Sequence, residues 1–147
     1  QAGNAINAVE GVTFKTVAAA DTTPPASPTY APTNSATDVA VNTTPTLTFA
    51  EELYSDASAT AMGAAPTGVI KVYEGTTNSG TALTEGSDAD NQHFTVAYTD
   101  KVFTITFGAE LKNEQDYYIE LQADKVYDQA GNAINAVEGV TFKTVAS

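Results

Sequence analysis

The sequence predicts an all-β chain folded as an antiparallel β-sandwich of about seven strands. Two observations carry this prediction. Short segments alternate apolar and polar residues with a period of two, as half-buried strands do. Turn residues separate those segments at short intervals, and no stretch sustains a helical period.

In chain order, Thr46-Leu47-Thr48-Phe49 is the first alternating segment. Ser55 to Pro66 is alanine-rich and has room for one helical turn, limited by Gly63 and Pro66. Val69-Ile70-Lys71-Val72-Tyr73 places Ile70 and Val72 on one face, and Asn78-Ser79-Gly80 marks a turn. His93 to Tyr98 alternates again. Thr99-Asp100-Lys101 is a hairpin turn into Val102 to Phe107, where Phe103, Ile105 and Phe107 share a face. Asp116 to Gln122 turns Tyr117, Ile119 and Leu121 inward. Gly139 to Val145 does the same with Val140 and Phe142.

An internal repeat sets the frame. Gln1 to Ala18 recurs letter for letter as Gln129 to Ala146, 128 positions later. Eighteen identical residues in a row come from duplication, natural or engineered. The expected organisation has three parts. Residues 1–18 are the C-terminal strand fragment of a preceding copy, 19–28 a Pro-rich linker, and 29–146 the sandwich. A chain opening on Gln1 is expected to be a piece of a longer one. The adjacent prolines Pro24 and Pro25 favour polyproline II, so the linker is expected to be stiff and extended.

Composition narrows the function classes. The net charge is −12, from eighteen acids against six lysines and no arginine. Such a surface repels nucleic acid and anionic membranes. It suits solubility and, where carboxylates converge, divalent cations. No apolar run approaches the roughly 18 residues of a transmembrane helix, and no signal peptide is visible. There are no cysteines, so no disulfide framework exists.

Three stretches resemble bacterial immunoglobulin-like repeats of surface-layer proteins and giant adhesins. They are Asp21-Thr22-Thr23-Pro24-Pro25, the run from Pro32 to Phe49, and Val126-Tyr127-Asp128-Gln129-Ala130-Gly131-Asn132 followed by Val140-Thr141-Phe142-Lys143-Thr144. The second is similar to the family's "P-x-(N/D)-x-A-x-x-V…F" opening and the third to its "D-x-A-G-N…F-x-T" ending. Ser55 to Pro66 is longer than the usual loop at that place. The resemblance implies an immunoglobulin-like sandwich at the bacterial cell surface or outside the cell, used as a stalk repeat of an adhesin-like, biofilm-type protein.

Calcium is the cofactor this chemistry and the resemblance point to, with Asp21, Asp124, Asp128 and Asn132 as candidate ligands. The competing role for Asp128 and Asn132 is to shape a turn, with Gly131 supplying positive φ. Asp88-Ala89-Asp90-Asn91 lacks the glycine and distal glutamate of an EF-hand and is expected to be a solvated loop. His93 is the only histidine and no G-x-S-x-G elbow is present, so an ordinary strand residue is expected there. Glu51 and Glu52 are neighbours, which on a strand face opposite ways. A structural zinc site lacks ligands. Glycan binding would need platforms such as Tyr54, Tyr73, Tyr98 or Tyr118.

The duplication offers a mechanism of its own. Val12, Phe14 and Val17 are chemically identical to Val140, Phe142 and Val145. The N-terminal copy is expected to be held in place, either in the final-strand position of another molecule or in place of its own C-terminal twin. The first arrangement yields head-to-tail homo-oligomers or filaments. The expected partners are therefore neighbouring copies of the same repeat. Three functions follow: a structural spacer, a self-assembling filament subunit and a glycan-binding module. Enzyme activity is not expected.

Overall fold

A computed structural model describes residues 2–3 and 10–146. Among the described residues ten strands form two five-stranded sheets. In chain order they are β1 (Thr29–Ala31), β2 (Ala36–Val39), β3 (Thr46–Thr48), β4 (Ile70–Glu74), β5 (Thr81–Ala82), β6 (Thr84–Glu85), β7 (His93–Thr99), β8 (Val102–Phe107), β9 (Asp116–Leu121) and β10 (Val137–Thr144). One sheet runs β1-β3-β8-β7-β6 and the other β2-β10-β9-β4-β5.

The strand count exceeds the expected seven because, besides the six alternating segments, two further segments each give one short strand to either sheet. β1 pairs with β3, then the chain crosses over and β2 joins β10. Pro32, which has no N–H for a ladder, sits in the crossing. In the same way β5 pairs with β4, buried Leu83 turns inward, and β6 joins β7. Continuing in one direction across the sandwich makes β2·β10 and β6·β7 parallel, so the sheets are mixed rather than purely antiparallel. All four sheet edges belong to these two crossing segments. Each edge strand has two to four residues, too short to template pairing with another chain.

The core follows the alternation read from the sequence. Tyr117, Ile119 and Leu121 of β9 face Phe103 and Ile105 of β8 across the sandwich, joined by Leu47, Ile70, Val72 and Phe142. Tyr117 stacks on Phe142 with ring centroids 5.5 Å apart. The Thr99-to-Val102 hairpin closes through Asp100 and Lys101, both at positive φ, the geometry a two-residue turn needs to match strand twist. Ser55 to Pro66, which has room for a helical turn, forms none. Tyr54 bridges Ala61 there, and Asp56 accepts N–H bonds from Ser58 and Thr60 to make a polar loop.

Two buried tyrosine hydroxyls tie loops to the core. That of Tyr98 accepts the Leu53 N–H at 2.9 Å and donates to Glu52 Oε1 at 3.2 Å. That of Tyr117 accepts the Lys112 N–H at 3.1 Å.

Candidate functional site

Before β10, Tyr127 pairs with Tyr54 through two backbone bonds, and Ile134 N–H returns to the Val126 carbonyl. The loop held between them is Asp128 to Asn132. Asp128 is only 3 % exposed. Its Oδ1 accepts the N–H groups of Ala130 (2.8 Å) and Asn132 (2.9 Å), and its Oδ2 accepts Asn132 Nδ2 (2.8 Å). Burial alone would raise the Asp128 pKa; the bonds from Asn132, Ala130 and Gly131 outweigh it and hold the carboxyl below its ordinary value. Gly131 has φ of 85°, and a Cβ there would come within 2.5 Å of the Ala57 carbonyl oxygen. Only glycine fits.

The same Asn132 amide reaches the linker. Nδ2 also donates to the backbone carbonyls of Asp21 (3.2 Å) and Thr23 (3.3 Å). Asp21 in turn accepts the Thr23 N–H at 2.9 Å, which bends the linker at that point. Beyond it, Pro25 and Pro28 are buried. The linker is therefore docked on the sandwich at these points. A cleft of about 350 Å³ lies between them, lined by Asp21, Glu51, Asp128, Gln129 and Ala130.

Of the four candidate calcium ligands, Asp21, Asp128 and Asn132 meet at this junction. Asp124 does not line the cleft; it is exposed in a turn at positive φ. The Asp128 carboxylate is occupied by turn hydrogen bonds. No group of three or more acidic, histidine or cysteine side chains is arranged to hold a metal among the described residues. Glu51, which the sequence reading did not join to Asp21, lines the same cleft, while Glu52 turns to Tyr98.

Asp88 and Asp90 lie in an exposed loop, as expected, and both reach His93. His93 Nδ1 lies 2.6 Å from Asp90 Oδ1 and Nε2 lies 3.2 Å from Asp88 Oδ2. The Asp90 hydrogen bond raises the His93 pKa against desolvation, which lowers it, and the charges of Asp90 and Asp88 add to the rise. These are two acids around one imidazole, a surface ion pair. Of the four tyrosines considered for glycans, Tyr98 is buried, which corrects its expected exposure. Tyr54, Tyr73 and Tyr118 are half-buried, with Tyr73 and Tyr118 side by side on β4 and β9.

The two copies of the duplicated segment differ completely. Val140 and Phe142 are buried in β10, and Val145 donates its N–H to the Val39 carbonyl. Val12, Phe14 and Val17 are 91, 87 and 96 % exposed, and no strand forms between residues 10 and 17. The chain's own C-terminal copy fills the slot, so the N-terminal copy does not displace it here. Gln1 and residues 4–9 of that copy lie outside the described residues.

A family model described as a bacterial Ig-like domain matches residues 21–144. The chain belongs to the bacterial Ig-like domain family. No curated protein matches it. The match opens at Asp21, the first linker residue held by Asn132, so this bacterial Ig-like domain includes its docked linker. Domains of this family are generally structural and non-enzymatic, and occur in extracellular or surface proteins. No helix among the described residues is long and apolar enough to cross a membrane.

The junction was half legible in sequence. Asp-x-Ala-Gly-Asn announced a side-chain-capped turn. Nothing in the linker's residue types announced the docking, because Asn132 binds backbone carbonyls that every residue carries.

Proposed function

We propose that this bacterial Ig-like domain is a spacer repeat of a large adhesin-like protein, extending a distal domain from the bacterial surface without catalysis. The observation that carries the reading is the Asn132 bond pair to the linker carbonyls, placed where one 128-residue unit would meet the next. A docked linker fixes the direction in which the chain enters the sandwich, whereas a free Ser/Thr/Ala-rich linker would let successive units swivel. Short edges on both sheets favour a repeat that remains separate from its neighbours at high local density. Calcium at the Asp21–Glu51–Asp128 cleft is not required for this role. Glycan binding has less support, because Tyr98 is inside and the remaining tyrosines do not form one platform.

The test is X-ray scattering from proteins of one, two and three 128-residue units joined as the sequence joins them. A spacer predicts a maximum dimension that grows by a constant increment per unit. Growth closer to the square root of unit number would contradict it.

A further inference from the structure

We propose that Gly11–Val17 is a donor strand for the β10 slot of a second copy of this chain, joining molecules head to tail as successive repeats are joined. The proposal rests on the repeat reading of the two copies. The occupant is specified by identity: residues 11–17 match 139–145 at every position. The contacts that residues 139–145 make in the slot are therefore available to the donor. Phe142 pairs with Tyr117 of β9 and with Ala36 of β2. Thr141 accepts the Ser35 N–H at 2.7 Å and donates its own N–H to Asn34 Oδ1 at 3.0 Å. The Thr144 hydroxyl donates to the Lys112 carbonyl at 2.6 Å. Thr13, Phe14 and Thr16 are the matching residues of the donor.

The slot is internal. β10 lies between β2 and β9, and the sheet edges are too short to take a strand of this length. Entry thus requires the resident β10 to leave, and the two strands compete with equal local contacts. The resident wins by its tether, worth an effective concentration of about a millimolar for a short connection. Ordinary dilute solutions therefore hold closed monomers with an exposed donor. Loss of β10 contacts reverses the preference.

A donor seated in the slot leaves at its Val17 end, where the resident leaves at Val145. Its linker then enters its own sandwich at Asn132. The junction between donor and acceptor is the junction between repeats. Each molecule has one donor and one slot at different places, so association is open-ended.

The experiment uses the full chain with Phe142→Ala, which weakens the resident and leaves Phe14 intact in the donor. The penalty on the resident is about two to three orders of magnitude. It lowers the midpoint for exchange from about a millimolar to about 1–10 µM. Light scattering at about 100 µM is then expected to show dimers and longer species, with a Tm that rises with concentration. The double variant Phe14→Ala/Phe142→Ala is expected to be monomeric, because donor and resident are equally weakened. Val140→Ala, a milder lesion, gives the same direction of change should Phe142→Ala not fold. A monomer whose Tm ignores concentration in both single variants would overturn the proposal, as would equal oligomerisation of the double variant. The spacer reading survives either result, since it depends on the linker rather than on the donor.

Discussion

Phe14 and Phe142 occupy the same place in identical segments, yet one is 87 % exposed and the other 1 %. Local sequence is held constant between them, so the difference is entirely tertiary. Phe142 has Tyr117 stacked against it and two strands beside it, while Phe14 has no strand partner. The pair therefore serves as an internal control for any substitution in the repeat.

Gly139 and Gly11 use that control. A Cβ at Gly139 would meet the Tyr118 ring and come within 2.6 Å of the Ile119 carbonyl oxygen, whereas nothing lies within 4 Å of Gly11. Gly139→Ala is expected to cost about 1–3 kcal/mol in denaturant unfolding of dilute protein. Gly11→Ala is expected to stay within about 0.5 kcal/mol of the parent. Equal effects would mean that the two segments share the slot.

Asp128 predicts acid sensitivity. Its pKa is lowered in the folded chain. The stability it contributes is therefore present above the unfolded value of about 3.9 and is lost as pH falls through the lower folded value. Asp128→Asn is expected to cost about 1–2 kcal/mol near neutral pH, because its amide would face the Asn132 amide, donor to donor. The variant is also expected to lose less stability than the parent on acidification. Thermal melts across the acid range check both.

His93 works in the opposite sense. Its folded pKa is raised, so its contribution is complete below the unfolded value of about 6.5 and is lost as pH rises through the folded value. The imidazole carbon-bound proton resonances are expected to titrate above 6.5, and Asp90→Asn to bring the midpoint down. A midpoint unchanged by that substitution would remove the 2.6 Å contact as the cause.

Tyr98 anchors the loop after β3. Tyr98→Phe would leave the buried Leu53 N–H without its acceptor, at a cost of about 1–3 kcal/mol in chemical denaturation. A loss near zero would mean that water or Glu52 takes over.

The strands were legible because their apolar residues face one core at a period of two: Tyr117, Ile119 and Leu121 needed no further information. The Asp100-Lys101 hairpin turn was legible too. The edges were not. Thr29–Val39 and Thr81–Glu85 have weak alternation because each segment serves two sheets and buries few side chains. The turn at Asp128 was readable from its residue types. Its grip on Asp21 and Thr23 was not, since that contact spans more than a hundred residues and reads backbone. Glu51 gave no sign of sharing a cleft with Asp21, because only the docking of the linker brings them together. His93 was read as an ordinary strand residue, and its two aspartates became visible only once the loop before β7 had a shape.

A spacer of fixed direction needs a linker held against the sandwich at Asn132, and backbone ¹⁵N relaxation measures that directly. Thr22 and Thr23 are expected to show order parameters of about 0.8, close to those of β9 and β10, while Thr13 and Lys15 fall below about 0.6. Asn132→Ala should drop Thr22 and Thr23 to the level of Thr13. Low order parameters at Thr22 and Thr23 in the unsubstituted chain would contradict a docked linker and, with it, a spacer of fixed direction.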